Sequence, residues 1–303
     1  MRPTIQCLGW FMRRTHDPAD LAAFYRDVVG LPVIRTPRED VHIFWGGEAT
    51  SFEILLGGSP PPPISQPEDA PCIPILRTVD FDAARARLGA GGARFLDHAD
   101  DEPDGRTAYF LDPHGHLTGL RERRRTSPWW DDHEAWRRYD TGETRIPGVG
   151  PMPPDLHGIG WVALRVQDVA AETAFYRDSI GLAAIDERPE RGLLALGDTL
   201  VLEILPGGAP ARLPAERTEV ANVWMLRVRD LDGIVADLKA QGVRFVNEVF
   251  ELTGGRLCYI ADPENRLVGI QDHPPDGLRA EEDEAGRRWQ RLLRARGLTE
   301  PSA

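Results

Sequence analysis

The chain has 303 residues, length enough for about two ordinary domains, and its 36 Lys and Arg against 48 Asp and Glu give a formal net charge of −12. That charge repels polynucleotides and anionic membrane surfaces, which excludes both as partners. The widely spaced Cys7, Cys72 and Cys258 form no CxxC pair, Arg13, Arg14, Asp17 and Asp20 interrupt any leader, and no window reaches the roughly 18 apolar residues of a membrane span, so a cytoplasmic protein is expected.

In chain order, an apolar run "CLGWFMR" around residue 10 reads as a strand. Leu21, Phe24, Tyr25, Val28 and Val29 then recur at helical spacing, with Asp17 as cap, Pro18 in the first position and Gly30 with Pro32 as the stop. "VHIFW" and "TSFEILL" flank a Gly-Gly turn and predict a hairpin. A second unit opens with "CIPILRTV", continues through a helix over 80–91 and closes with strands joined by Asp112, Pro113, His114 and Gly115, a type I turn. Both units read as strand, helix and three further strands.

The whole pattern then repeats. "AFYRDVVGL" at 23–31 returns as "AFYRDSIGL" at 174–182, "FEILLGG" at 52–58 as "LEILPGG" at 202–208, and "YFLDPHGHLTGL" as "YIADPENRLVGI". A shift of 150 or 151 positions aligns most of both halves, so the chain is a tandem duplication. The expected division is a domain over 1–121, a Trp- and Pro-rich linker with a short helix over 122–156, a second domain over 157–273 and a charged amphipathic helix over 274–303. Each half is expected to close its own eight-stranded cup.

These "AFYRDxxGL", "LEIL" and "DPxxxL" segments, present twice, resemble the vicinal oxygen chelate superfamily, which includes glyoxalase I, extradiol dioxygenases and the bleomycin- and fosfomycin-resistance proteins. The resemblance implies an α+β fold in which four βαβββ modules pair into two tandem cups. It also implies that metal-using members take His or Gln from a module's first strand and Glu from its last, the ion polarising substrate oxygens. Here the first-strand positions fall on Trp10, near Ile73, on Trp161 and near Val223, and the last-strand positions on Glu53, Gly119, Glu203 and Gly269. One carboxylate per cup is short of a divalent metal's needs, so no cofactor is expected. The alternative is a Fe, Mn, Zn or Ni enzyme with shifted ligands, for which His42, Glu53 and His116 are the fallback donors.

Trp10 and Trp161 offer stacking faces, Gly119 and Gly269 leave room beside them, and Glu53 and Glu203 among apolar walls should have raised pKa values suited to a general base. The C-terminal set of Trp161, Glu203 and Gly269 keeps the pattern more cleanly and is the preferred site. The bland alternative is that the tryptophans are core and the glutamates rim. The expected partner is a small, aromatic or oxygen-rich molecule, bound by a monomer or homodimer. Sequestration of the resistance type and metal-free lyase or isomerase chemistry fit equally, because both need only a shaped cup with a few polar groups.

Overall fold

The computed structural model describes residues 5–47, 50–102, 105–124, 137, 149–197, 199–209, 211–252 and 255–272. The linker aromatics Trp129, Trp130, Trp136 and Tyr139 and the amphipathic segment over 274–303 lie outside them. Four modules follow in order. The first contains β1 (Ile5–Thr15), α1 (Pro18–Phe24), β2 (Val33–Arg38), β3 (Val41–Trp45) and β4 (Ser51–Leu56). The second contains β5 (Cys72–Thr78), α2 (Phe81–Ala90), β6 (Arg94–Glu102), β7 (Gly105–Leu111) and β8 (Leu117–Arg123). The third runs through β9 (Leu156–Val166), α3 (Val169–Ala174), β10 (Ala183–Arg188), β11 (Arg191–Ala195) and β12 (Val201–Pro206). The fourth has β13 (Asn222–Val228), α4 (Leu231–Ala240), β14 (Phe250–Leu252), β15 (Gly255–Ala261) and β16 (Leu267–Asp272). No helix among the described residues is long and apolar enough to cross a membrane.

Local sequence explains the helices. Asp17, Asp80, Asp168 and Asp230 each accept a hydrogen bond from the backbone N–H three residues on, satisfying donors that a helix start leaves bare. The duplicated "AFYRD" motif marks where α1 and α3 widen into a π-turn, over Tyr25–Val29 and Phe175–Ile180. Gly30 and Gly181 end those turns at φ of 85° and 89°, a region where a side chain would be strained. Tyr25 and Tyr176 are fully buried, and each hydroxyl donates to the aspartate that opens a "DP" turn, Asp112 at 3.2 Å and Asp262 at 3.1 Å. The two most repeated motifs therefore hold each other in place.

The modules form two eight-stranded sheets, as expected, but the partners are not those expected. The first sheet has the order β14-β15-β16-β13-β1-β4-β3-β2, and the second β10-β11-β12-β9-β5-β8-β7-β6. Thus the first module pairs with the fourth through antiparallel β1 and β13, and the second with the third through antiparallel β5 and β9. The expectation that each half closes its own cup is corrected: every cup takes one module from each half. The main core, including Phe11, Phe52, Tyr176 and Trp224, lies under the helices on the convex faces, and separate apolar clusters around Trp10 and Trp161 line the two concave faces. Alternation along each strand divides its residues between these layers.

Arg13 ties the two sheets together. It is fully buried on β1 and donates to Asp112 at 2.9 Å, to the Leu117 carbonyl at 3.0 Å and to the Asn222 amide oxygen at 3.0 Å. At the repeat-related place stands Leu164; Asp262 has instead Arg266, whose Nη1 lies 3.9 Å away, and beside it Glu172, also fully buried. Burial first, and the Asp262 charge second, push the Glu172 carboxyl up to about 10 from 4.5. The folded chain therefore keeps a proton that the unfolded chain loses above about 4.5, and stability falls as pH rises from there towards the folded value. Glu172→Gln is expected to raise the calorimetric Tm by several degrees at alkaline pH and to leave it unchanged in acid. A lower Tm at alkaline pH would count against a protonated Glu172.

Candidate functional site

On the first concave face, the register sets Trp10 opposite Met225, Met225 beside Gly269, and Glu53 beside Met12 and opposite Ile43. On the second, Trp161 lies opposite Ile75, Ile75 beside Gly119, and Glu203 beside Ala163 and opposite Leu193. Ile75 and Met225, two positions beyond Ile73 and Val223, are therefore the residues that face the tryptophans. The preferred grouping is corrected as well: Gly269 joins Trp10 and Glu53, whereas Trp161 and Glu203 face Gly119.

The glycines do not open space for a ligand. A Cβ at Gly269 would lie 2.4 Å from Met225 Cγ, and one at Gly119 would lie 2.8 Å from Ile75 Cγ1, so the neighbouring side chains occupy that room. Nor are the indole faces bare. The Arg227 guanidinium carbon lies 4.9 Å from the centre of the Trp10 ring, and Arg77 and Arg121 lie 4.5 Å and 5.0 Å from that of Trp161. Both tryptophans are buried, at 7% and 2% exposure, and serve first as packing.

The two glutamates have diverged. Glu203, only 3% exposed, accepts a hydrogen bond from Arg121 Nη1 at 2.7 Å, and Arg121 Nε also donates to Thr107 at 2.9 Å. Burial opposes ionisation there, yet Arg121, with Arg123 and Arg191 behind it, carries the carboxyl below its ordinary value. The expected raised pKa is reversed for Glu203, which is held as a carboxylate in a fixed ion pair. Glu53 keeps partial exposure and accepts no hydrogen bond from a described residue. Burial dominates, outweighs the attraction of Arg14, Arg35 and Arg38, and lifts its carboxyl to about 7. Here the expectation holds, and the group changes charge near neutrality.

The wall of the first cup supplies aromatic surface and two cations. Phe250 and Tyr259 stack with ring centres 6.3 Å apart, the Arg217 guanidinium lies 4.2 Å over Phe250, and Arg14 donates to the Tyr259 hydroxyl and to the Val220 carbonyl. Sequence reasoning passed over Arg14, Tyr259 and Arg217. Their repeat positions gave a signal, since Tyr259 answers to Tyr109 and Arg14 to Arg165, but no local motif marks a cation aimed across a sheet.

The histidines do not assemble with Glu53. His42 is on the opposite face of β3, where Ile43 pairs with Glu53, and its Nε2 meets the Glu39 carbonyl at 3.1 Å. His116 belongs to the turn before β8 in the other sheet, is 2% exposed, and is driven down to about 2 by burial and then by Arg13. His114 stacks on His16 and meets Asp20 at 2.9 Å, a contact at the helix entry. Among the described residues, no group of three or more His, Cys, Asp or Glu is placed to hold a metal ion.

Residues 8–120 and 158–281 match the family model of the Glyoxalase/Bleomycin resistance protein/Dioxygenase superfamily. The chain belongs to this superfamily. The fold agrees: a putative dioxygenase from Bacillus subtilis superposes with a TM-score of 0.63 at 13% identity, over 99% of this chain and 98% of that one. Glyoxalase I from Zea mays superposes with a TM-score of 0.58 at 14% identity, over 93% of this chain and 96% of that one. No curated protein sequence matches the chain. At these identities the solved structures establish the fold that the superfamily shares with this chain, while the chemistry rests on the side chains that line its own cups.

Proposed function

We propose that the first cup binds a small aromatic or oxygen-rich molecule and that Glu53 exchanges a proton with it, as a lyase or isomerase would, without a resident metal. The observation that carries this reading is the Glu53 carboxyl lifted to about 7 beside an aromatic wall. As a carboxylate, Glu53 takes a proton from a carbon next to a ligand carbonyl, the C–H electron pair moves into the ligand, and the carbonyl oxygen becomes an enolate oxygen. Arg14, the first of the cations that attract Glu53, supplies positive charge near that oxygen. Where the ligand carries a carbon–carbon double bond next to the deprotonated carbon, returning the proton to the far carbon of that bond completes an isomerisation and restores the carboxylate. Glu203 cannot share this role while Arg121 holds it ionised, since a low-pKa carboxylate is a weak base.

The donor set explains why no metal is invoked. Trp10, Met225, Gly269 and Glu53 at one site, and Trp161, Ile75, Gly119 and Glu203 at the other, provide one hard ligand each, whereas a catalytic divalent ion ordinarily takes three from the protein. Purified protein is expected to retain less than stoichiometric Fe, Mn, Zn or Ni, and chelator is expected to leave its Tm unchanged; elemental analysis and calorimetry check both. The proton-transfer reading is tested by incubating the protein with small-molecule pools in D2O and following deuterium incorporation by mass spectrometry. Failure of any bound compound to exchange a C–H would reduce the first cup to a binding site.

A further inference from the structure

A cavity of about 350 Å³ is walled by residues of both sheets, and its lining includes neither Glu53 nor Glu203. Its lining comes in repeat-related pairs 150 positions apart, with Leu117 and Leu267, His116 and Arg266, and Cys72 and Asn222 all present. The cavity therefore straddles the internal symmetry of the duplication, yet its two contributions differ in chemistry. The first half gives Pro60, Pro61, Pro62 and Cys72, an apolar and rigid wall, and the second gives Arg212, Asn222, Asn265 and Arg266. A wall that is apolar on one side and rich in donors on the other orients an asymmetric guest.

Three deeply buried lining residues hold polar atoms without a partner among the described residues: His116 Nδ1, Trp224 Nε1, and Arg266 Nε and Nη1. Their exposures are 2%, 1% and 6%. Such atoms are costly to bury unpaired, and two of the three residues can only donate. Arg266 Nη2 is committed to Glu264 at 2.9 Å, while its Nη1 is 3.9 Å from Asp262, beyond a hydrogen bond.

From this geometry we infer a second binding site, whose lining does not include Glu53, for an aromatic carboxylate whose ring lies against the proline wall and whose oxygens accept from Arg266 and Trp224. Calorimetric titration of the full chain with 1-naphthoate is expected to show one site, with 1-naphthylmethanol binding at least ~10-fold more weakly, as loss of a charge-assisted pair requires. Ala211→Trp fills the cavity from a loop without removing a buried partner, and is expected to weaken naphthoate at least ~10-fold at unchanged Tm. Arg266→Gln is expected to bring the acid down to the affinity of the alcohol. Glu53→Gln leaves naphthoate binding as it was, which separates this site from the proposed chemistry of the first cup. Absence of binding at millimolar naphthoate, equal affinity for acid and alcohol, or indifference to Ala211→Trp would each overturn the assignment.

Discussion

Glu53→Gln is expected to lower proton exchange on any ligand of the first cup by on the order of 10²-fold or more, with affinity nearly unchanged. The amide keeps the shape of the side chain and removes its basicity, so a loss confined to the rate identifies a base. The pH profile gives a second and independent readout. Because burial raises the Glu53 carboxyl to about 7, the competent carboxylate form is populated as pH rises through that value, and exchange should climb there and then level. The same titration should be visible without a ligand, as a carboxyl infrared band in the wild type that disappears near neutral pH and is missing from the variant. If the band titrates in the ordinary range for glutamate, the enclosure inferred for Glu53 is wrong. Loss of affinity at unchanged rate would instead make the carboxylate a recognition group.

Arg121→Met should be the most destabilising single change in the second cup, by about 3 kcal/mol or more, because it leaves the Glu203 carboxylate buried with its hydrogen-bonded partner gone. The side chains of that pair are only 7% and 4% exposed, so solvent cannot replace the lost partner. The sign of the pH dependence follows from the direction of the Glu203 shift. A carboxyl lowered in the folded state contributes stability that is present above its unfolded value and is lost as pH falls through the folded one. The wild-type advantage over Arg121→Met should therefore be full at neutral pH and shrink in acid. Combining Arg121→Met with Glu203→Met should recover much of the loss, since replacing a buried pair by apolar groups costs far less than breaking it. Denaturant unfolding of the two variants measures this, and a double variant no more stable than Arg121→Met would show that Glu203 is held chiefly by Arg123 and Arg191.

Much of the fold was legible in the sequence because its signals are local. Asp17 and Gly30 bound their helix through backbone geometry that neighbouring residues alone define. Asp112 and Gly115 close their turn within four positions, with the Gly115 N–H donating to the Asp112 carbonyl at 3.0 Å. The candidate site was legible only as a set of positions. Glu53 and Glu203 occupy matching places in matching strands, and neither letter nor spacing separates a carboxyl with no hydrogen-bonded partner from one locked to Arg121. That difference comes from β8, which carries Arg121 across the second sheet, whereas β16 places Gln271 at the corresponding position in the first.

The sequence by itself determined the four modules, their capped helices and inward-facing strand residues, and membership of a superfamily whose motifs it carries twice. The tertiary structure alone decided which modules share a cup. β1 and β9 are copies of each other, as are β5 and β13, so the edge of β1 is chemically as well matched to one of the latter strands as to the other. Strand pairing is specified by backbone hydrogen bonds that every such edge offers, and a duplicated chain makes the alternatives nearly degenerate. Side-chain contacts between distant segments, such as Arg13 of β1 with Asn222 of β13 and Asp112 of the other sheet, break that degeneracy, and they exist only once the chain has folded.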